Sequence, residues 1–368
     1  MELDYRNPGL RLDQAKNATS GQIGWESPSN IAIIKYWGKY GDQLPRNPSL
    51  SFTLSNSLTR TSISYAPRIK GEPKTGLNLK FYFENKLNPD FSKRVEKFFS
   101  RLKDIFPFIE ELDLEVHTEN TFPHSSGIAS SASGMSALAM CLCSMEQEIF
   151  GTLADPEEFL QKASYISRLG SGSACRSVYP GLVAWGKHQD LPPAADLYAV
   201  PLEETQIHPV FQSFHDDILI VSRGAKKVSS SVGHGLMDGN IYAENRYEQA
   251  RRGFSELLEC LQKGDVREFG EIAESEALTL HALMMTSRPP FILMEPESLA
   301  IIQQIQSYRE SSGLPLYFTL DAGPNIHLLY PDEIAAEVDT WLRETLQPAI
   351  GSIQIIRDKI GTGPQRFA

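Results

Sequence analysis

Several short stretches of this chain set charged or hydroxyl groups among residues small enough to let a ligand come close. Thr121–Ala139 reads T-F-P-H-S-S-G-I-A-S-S-A-S-G-M-S-A-L-A and turns at Pro123. Ser125, Ser126, Gly127, Ser130, Ser131, Ser133 and Gly134 leave almost no side-chain bulk there. A helix expected over Met135–Ile149 would follow, presenting unpaired N–H groups and the positive end of its dipole. Together these make a phosphate cradle. It is not of the Walker type, because no G-K-[ST] follows the glycines, so its cation must come from elsewhere. The same composition would also serve a serine-rich loop that packs a helix tightly on a strand.

The candidate cations lie in three other stretches. In N-I-A-I-I-K-Y-W-G-K, Lys35 leaves the apolar run Ile31–Ile34 and Lys39 follows a break at Gly38. A lysine emerging from a buried strand into a glycine turn either lies beside a ligand or is a solvated loop cation. In S-G-S-A-C-R-S, Arg176 stands among small hydroxylated residues, either as a surface cation or as the planar guanidinium that grips a carboxylate or phosphate with two bonds. Gly224–Gly233 (G-A-K-K-V-S-S-S-V-G) is a third basic, serine-bearing loop, or else a solvated linker. A single acid completes the set. Asp321, in D-A-G-P-N, belongs to a turn-forming sequence, and at a strand end its carboxylate can take a proton.

The elements that must position these groups follow from periodicity. Ser49–Leu54, Thr61–Tyr65, Leu77–Phe83 and Glu111–Asn120 alternate as half-buried strands. Asp155-Pro156-Glu157-Glu158 starts a helix that Gly170 ends, just before the Arg176 stretch. Pro192–Gln206, rich in Pro, Ala and acids, is the expected seam between two lobes. Beyond it come a buried strand (Asp217–Ser222) and helices over Asn245–Gln262, Val266–His281 and Glu297–Ser311. Two short strands (Leu316–Leu320, Ile326–Tyr330) and a helix (Asp332–Leu346) complete the lobe. The expected division is an extension (1–20), an N-terminal lobe (21–205) and a C-terminal lobe (206–368), with Met1–Ser20 held loosely.

The 368 residues carry a net charge of -11, which excludes non-specific nucleic-acid binding and forces cations to be concentrated locally around any anionic substrate. Four cysteines show no zinc or disulfide spacing. No apolar run is long enough to span a membrane and no signal peptide is recognisable, so the expectation is a cytoplasmic protein.

Taken together and in order, N-I-A-I-I-K-Y-W-G-K, G-I-A-S-S-A-S-G, S-G-S-A-C-R-S, D-A-G-P-N and the terminal G-T-G-P-Q resemble the diphosphomevalonate decarboxylase family of the GHMP kinase superfamily. The resemblance runs from about Trp25 to the C-terminus. It implies an α+β GHMP kinase fold: a ribosomal protein S5 domain 2-like N-terminal lobe, an α/β C-terminal lobe and an active site in the cleft between them. It also implies a cytoplasmic homodimer acting on (R)-5-diphosphomevalonate with ATP and Mg²⁺, although the sequence names no ligands for the metal. By the same resemblance, Asp321 is the catalytic acid–base group with Lys35 beside it. Arg176 holds the substrate carboxylate, and Asn30 lies near that arginine. Tyr36, Lys39, Ser171, Ser173, Lys226 and Ser231 hold the diphosphate and mevalonyl portions. Ser126, Gly127, Ala129, Ser130, Ser131 and Ser133 hold the ATP phosphates. Where the family usually reads P-T-A-A-G-L-A-S-S-A, this chain has P-H-S-S-G-I-A-S-S-A. Phosphomevalonate decarboxylases and mevalonate 3-kinases share the fold and stand as alternatives. A silent nucleotide-binding protein of this fold is a third, and the presence of Asp321 speaks against it.

Overall fold

The computed structural model describes residues 3–68, 76–123, 128, 130–222, 228, 230–351 and 353–368, and of Ser231 only the backbone. Among the described residues two main sheets carry the chain, beside a two-stranded ribbon of Lys39–Tyr40 and Leu44–Pro45. The larger runs in the order Gln365–Arg366, Gly21–Ile34, Ser49–Pro67, Leu112–Asn120, Asn78–Phe83, Lys86–Leu87, and Leu182–Trp185 branches from Ser49–Pro67 to pair with Ala199–Pro201. Pairing is antiparallel except between Asn78–Phe83 and Leu112–Asn120. The second sheet, Tyr317–Thr319, Ile326–Tyr330, His215–Ile220, Gln354–Ile356, is antiparallel throughout.

Burial explains the layering. The helix Ser130–Phe150 is apolar almost all round, because it lies between the large sheet and the helix Pro156–Gly170. The latter starts as its sequence requires, with Asp155 accepting the Glu157 N–H at 3.1 Å. The two halves of the chain share one core. Ile31, Ile33, Ile34, Leu50 and Phe52 of the large sheet pack with Ala250, Phe254 and Leu257 of the helix Ala243–Lys263 and with Phe269 and Ala273 of the helix Val266–Met285. The end of the first strand is therefore seated directly on the helices of the second half. Among the described residues no helix is long and apolar enough to cross a membrane.

Three sequence expectations change. Ser49–Leu54 and Thr61–Tyr65 are the two ends of a single strand, Ser49–Pro67. The polar Ser55–Ser57 does not break it, because the buried Asp358 carboxylate accepts the amides of Ser55, Asn56 and Ser57 at 2.8, 2.9 and 2.8 Å. The serine helix begins at Ser130, not Met135, since its first turn packs against the sheet through Ser133 and Thr59. The N-terminal segment is docked. Leu10 is buried, Tyr5 donates to Gln161 at 3.0 Å, and Glu111 accepts the Leu12 amide at 2.8 Å.

Asp358 also accepts the Ser55 hydroxyl and the Lys359 amide, so its removal strands several groups at once. An orphaned buried donor costs about 1–3 kcal/mol. Asp358→Ala is expected to cost at least about 3 kcal/mol in urea unfolding, and a loss below about 1 kcal/mol would show that Ser55–Ser57 holds its shape without the carboxylate.

Candidate active site

Lys35 is the first residue beyond the strand Gly21–Ile34, and its side chain turns into a cavity of about 250 Å³ bounded by both halves of the chain. The ammonium is buried and its Nζ lies 3.0 Å from Oδ1 of Asp321. Burial pushes the Lys35 pKa down from the usual lysine value, and Asp321 and then Glu276 oppose that shift. Asp321 comes shortly after the strand Tyr317–Thr319, at the head of the D-A-G-P-N turn. The turn is pinned from within. Gly323 N–H donates to the Asp321 carbonyl at 2.7 Å, and Asn325 Oδ1 accepts the amides of Val221 and Ser222 at 2.8 and 3.1 Å. The turn-former and the carboxylate are thus one device, in which the turn presents the acid.

Arg176 sits in the tight helical stretch Gly172–Val178 and is buried. Its Nε and Nη2 both donate to Asn30 Oδ1, at 3.2 and 3.1 Å, while Nη1 donates to Ser49 Oγ. The guanidinium also lies over the Trp185 ring, 6.0 Å from its centroid. Asn30 is itself fixed, donating to Ser177 Oγ at 2.8 Å and to the Ser173 carbonyl at 3.1 Å. Desolvation lowers the Arg176 pKa, yet a guanidinium stays charged in proteins. Among the described residues no carboxylate forms an ion pair with it, and Asp321 on the same cavity favours its charged form from a distance, so the wall carries a held positive charge.

Tyr36, Lys39, Ser131, Ser171 and Ser173 line the same cavity. Ser131 and Ser171 hydroxyls stand 3.5 Å apart, Lys39 Nζ donates to Gln43 at 2.9 Å, and the buried Tyr36 hydroxyl has no partner among the described residues. Gly172 is required where it stands, because a Cβ there would come within 2.9 Å of both the Tyr36 hydroxyl and the Trp185 ring.

Residues 27–199 match the family model for the diphosphomevalonate decarboxylase-like N-terminal domain, and residues 217–365 match that for the mevalonate 5-diphosphate decarboxylase C-terminal domain. The diphosphomevalonate decarboxylase of Saccharomyces cerevisiae is 31% identical over 343 residues, covering 89% of this chain and 81% of that protein. The chain belongs to the diphosphomevalonate decarboxylase family. The Candida albicans diphosphomevalonate decarboxylase is 28% identical over 92% of this chain and 96% of its own length. Among solved structures, the mevalonate diphosphate decarboxylase of Staphylococcus aureus matches with a TM-score of 0.79 at 26% identity, covering 95% of this chain and 98% of that one. The fold is therefore the α+β GHMP kinase type.

Three of the residues expected at this decarboxylase-family site do not line the cavity. Ser133 does not face the cavity. Its hydroxyl is buried against the sheet, 2.6 Å from Thr59 Oγ1, so it fixes the start of the helix. Asn30 stands behind Arg176 and orients it, and is not part of the cavity wall. Ser130 opens the helix but does not line the cavity either. Ser126, Gly127, Ala129 and Lys226 lie outside the described residues, as does the Ser231 side chain.

His234 was not singled out by sequence, although it follows the Gly224–Gly233 loop directly. It lines the cavity between Tyr36 and Trp37, with ring centroids 4.4 and 4.5 Å away. Its Nδ1 accepts the Gly38 N–H at 3.0 Å, which puts the proton of the neutral ring on Nε2. Burial, and then Lys39, push its pKa from 6.5 down to about 3. Between those values only the unfolded chain takes the proton, so stability should fall as pH drops from 6.5 toward 3. NMR of the labelled ring is expected to show one neutral Nε2–H tautomer from pH 5 to 8. A midpoint near the ordinary histidine value would contradict this environment.

Proposed function

We propose that this chain converts (R)-5-diphosphomevalonate and ATP to isopentenyl diphosphate, ADP, phosphate and carbon dioxide. The observation that carries this reading is the meeting, in one cavity, of the buried Lys35 ammonium and the half-buried Asp321 carboxylate with Arg176, a buried guanidinium that among the described residues forms no ion pair with a carboxylate. The pair suits proton removal from an alcohol, and the guanidinium suits a carboxylate on the same substrate. A solved relative, MDDEF, is in complex with MVAPP, AMPPCP and magnesium, which supports the same set of reactants here.

In this mechanism Arg176 holds the substrate carboxylate, with Asn30 and Ser49 fixing the plane of its guanidinium. Asp321 takes the C3 hydroxyl proton as that oxygen bonds to the γ-phosphorus, and the bond from phosphorus to the ADP oxygen breaks. Lys35 Nζ, 3.0 Å from Oδ1, holds that carboxylate in place to receive the proton. The C3–O bond then breaks and its pair leaves with phosphate. The bond from C2 to the carboxylate carbon breaks in turn, its pair forming the double bond as carbon dioxide leaves. Fixed charges held in the cavity favour this charge movement.

The first turn of the serine helix places Ser131 on the cavity wall, where the ATP phosphates would approach its N-terminus. Among the described residues no three His, Cys, Asp or Glu side chains cluster for a metal. Mg²⁺ ordinarily needs only one or two carboxylates beside substrate phosphates. Asp321 is the one carboxylate lining the cavity among the described residues, so the ion would rest chiefly on the substrate phosphates, where it would neutralise charge on the transferring phosphoryl group. Tyr36, Lys39, Ser171, Ser173, Lys226 and Ser231 are assigned to the diphosphate and mevalonyl portions on the motif match. The cytoplasmic and homodimeric assignments rest on family membership.

Asp321→Asn is expected to cut turnover by about 10²–10⁴-fold, the span for a positioned base, with little change in ATP affinity. Near-normal turnover would remove Asp321 from the mechanism. Arg176→Lys keeps a charge but loses the two-point grip, and is expected to lose at least about tenfold in turnover, equivalent to roughly 1.4 kcal/mol of barrier. If orientation is its whole role, ADP and carbon dioxide release fall together. ADP release persisting without carbon dioxide would place Arg176 in the second step alone.

A further inference from the structure

The helix Val266–Met285 touches the backbone on both sides of the Lys35–Asp321 pair. Glu276 Oε2 accepts the Lys35 N–H at 2.8 Å. His281 Nε2 meets the Asp321 carbonyl oxygen at 3.1 Å, and since a carbonyl only accepts, that nitrogen carries the proton. Lys35 and Asp321 are 286 residues apart in the chain, in opposite halves of the molecule. One helix therefore grips the main chain at both partners, from positions five residues and about 7.5 Å of helical rise apart.

The grip on Lys35 is closed from its other side. Arg246, on the helix Ala243–Lys263, donates to Glu276 Oε2 at 2.6 Å and reaches the Lys35 carbonyl at 3.3 Å, and Asn47 donates to that carbonyl at 3.0 Å. Arg246 and Glu276 are both almost fully buried. An ion pair so placed is a poor way to gain stability, because its desolvation cost offsets most of the attraction and apolar residues would pack there at least as well. What apolar residues could not do is hold a peptide N–H and C=O. The helix is also firmly seated, with Ala273, Ala277 and Leu280 entering three separate core clusters.

We propose that the helix Val266–Met285 sets the spacing of Lys35 and Asp321, with Glu276 and His281 as positioning residues that act through backbone and never touch substrate. Its kinetic consequence rests on the decarboxylase reading, whereas its geometric consequence does not. Glu276 fixes where the lysine stem begins, and His281 fixes where the aspartate turn begins. The 3.0 Å contact between Nζ and Oδ1 is the difference between those two placements. Misplacement by a fraction of an ångström to an ångström is enough to cost one to two orders of magnitude in rate.

The test uses full-length His281→Phe, Glu276→Gln and Glu276→Leu, each assayed with ATP and 5-diphosphomevalonate. His281→Phe keeps a ring but loses the donor. It is expected to lower kcat at least about tenfold with both KM values within about threefold. Its crystal structure should show Nζ and Oδ1 drawn out of hydrogen-bond contact. Glu276→Gln still offers an oxygen to the Lys35 N–H, so it should retain several-fold more kcat than Glu276→Leu. Should Glu276→Leu fail to fold, His281→Phe alone decides. Wild-type kcat in His281→Phe, a loss confined to KM, or an unchanged 3.0 Å contact would each overturn the proposal. If the wild-type protein releases no carbon dioxide, the decarboxylase reading fails instead, and the contact in His281→Phe still decides the positioning role.

Discussion

A lysine ammonium taken wholly out of water is unfavourable unless a counter-charge meets it, and at Lys35 that counter-charge comes from the other half of the chain. This one requirement ties the molecule together. The first strand must end where the D-A-G-P-N turn begins, so both must rest on common supports. Those supports are the shared core of Ile33, Ile34, Phe254 and Phe269 and the polar grips of Glu276 and His281. The cavity follows as the space left beside the pair, walled by the Arg176 stretch and the first turn of the serine helix.

The chemistry follows from how differently the charged groups are compensated. Lys35 and Asp321 face each other across a 3.0 Å contact, so a proton delivered to the carboxylate changes the balance at once. Among the described residues the hydrogen-bond partners of Arg176 are neutral oxygens, those of Asn30 and Ser49. It keeps its charge and loses its freedom, which is what recognition of a planar carboxylate demands. In a chain with a net charge of -11, the cavity is where positive charge is gathered.

Lys35, Arg176 and Asp321 were legible in the sequence because each carries its context locally: an apolar run before it, small residues around it, or a turn after it. The helices were legible for the same reason, through apolar stripes and caps such as Asp155. What could not be read depends on partners remote in sequence. Ser55–Ser57 looks like a break until Asp358 supplies an acceptor for its amides. Ser133 looks like part of the phosphate cradle until Thr59 claims its hydroxyl. Tyr5 and Leu10 have no periodicity, so a docked segment looked loose. Glu276 and His281 sit on a helix whose apolar stripe gives no hint that two polar groups face inward, and His234 gains its role only when Tyr36 and Trp37 enclose it.

The central claim is that one cavity both phosphorylates the C3 hydroxyl and releases the carboxylate as carbon dioxide. Purified protein incubated with ATP, Mg²⁺ and each of mevalonate, 5-phosphomevalonate and 5-diphosphomevalonate tests it most directly, with ADP and carbon dioxide measured separately. With 5-diphosphomevalonate the two products are expected in equal amounts, and far faster than with either of the other substrates. ADP released without carbon dioxide, or faster turnover of 5-phosphomevalonate, would contradict the account.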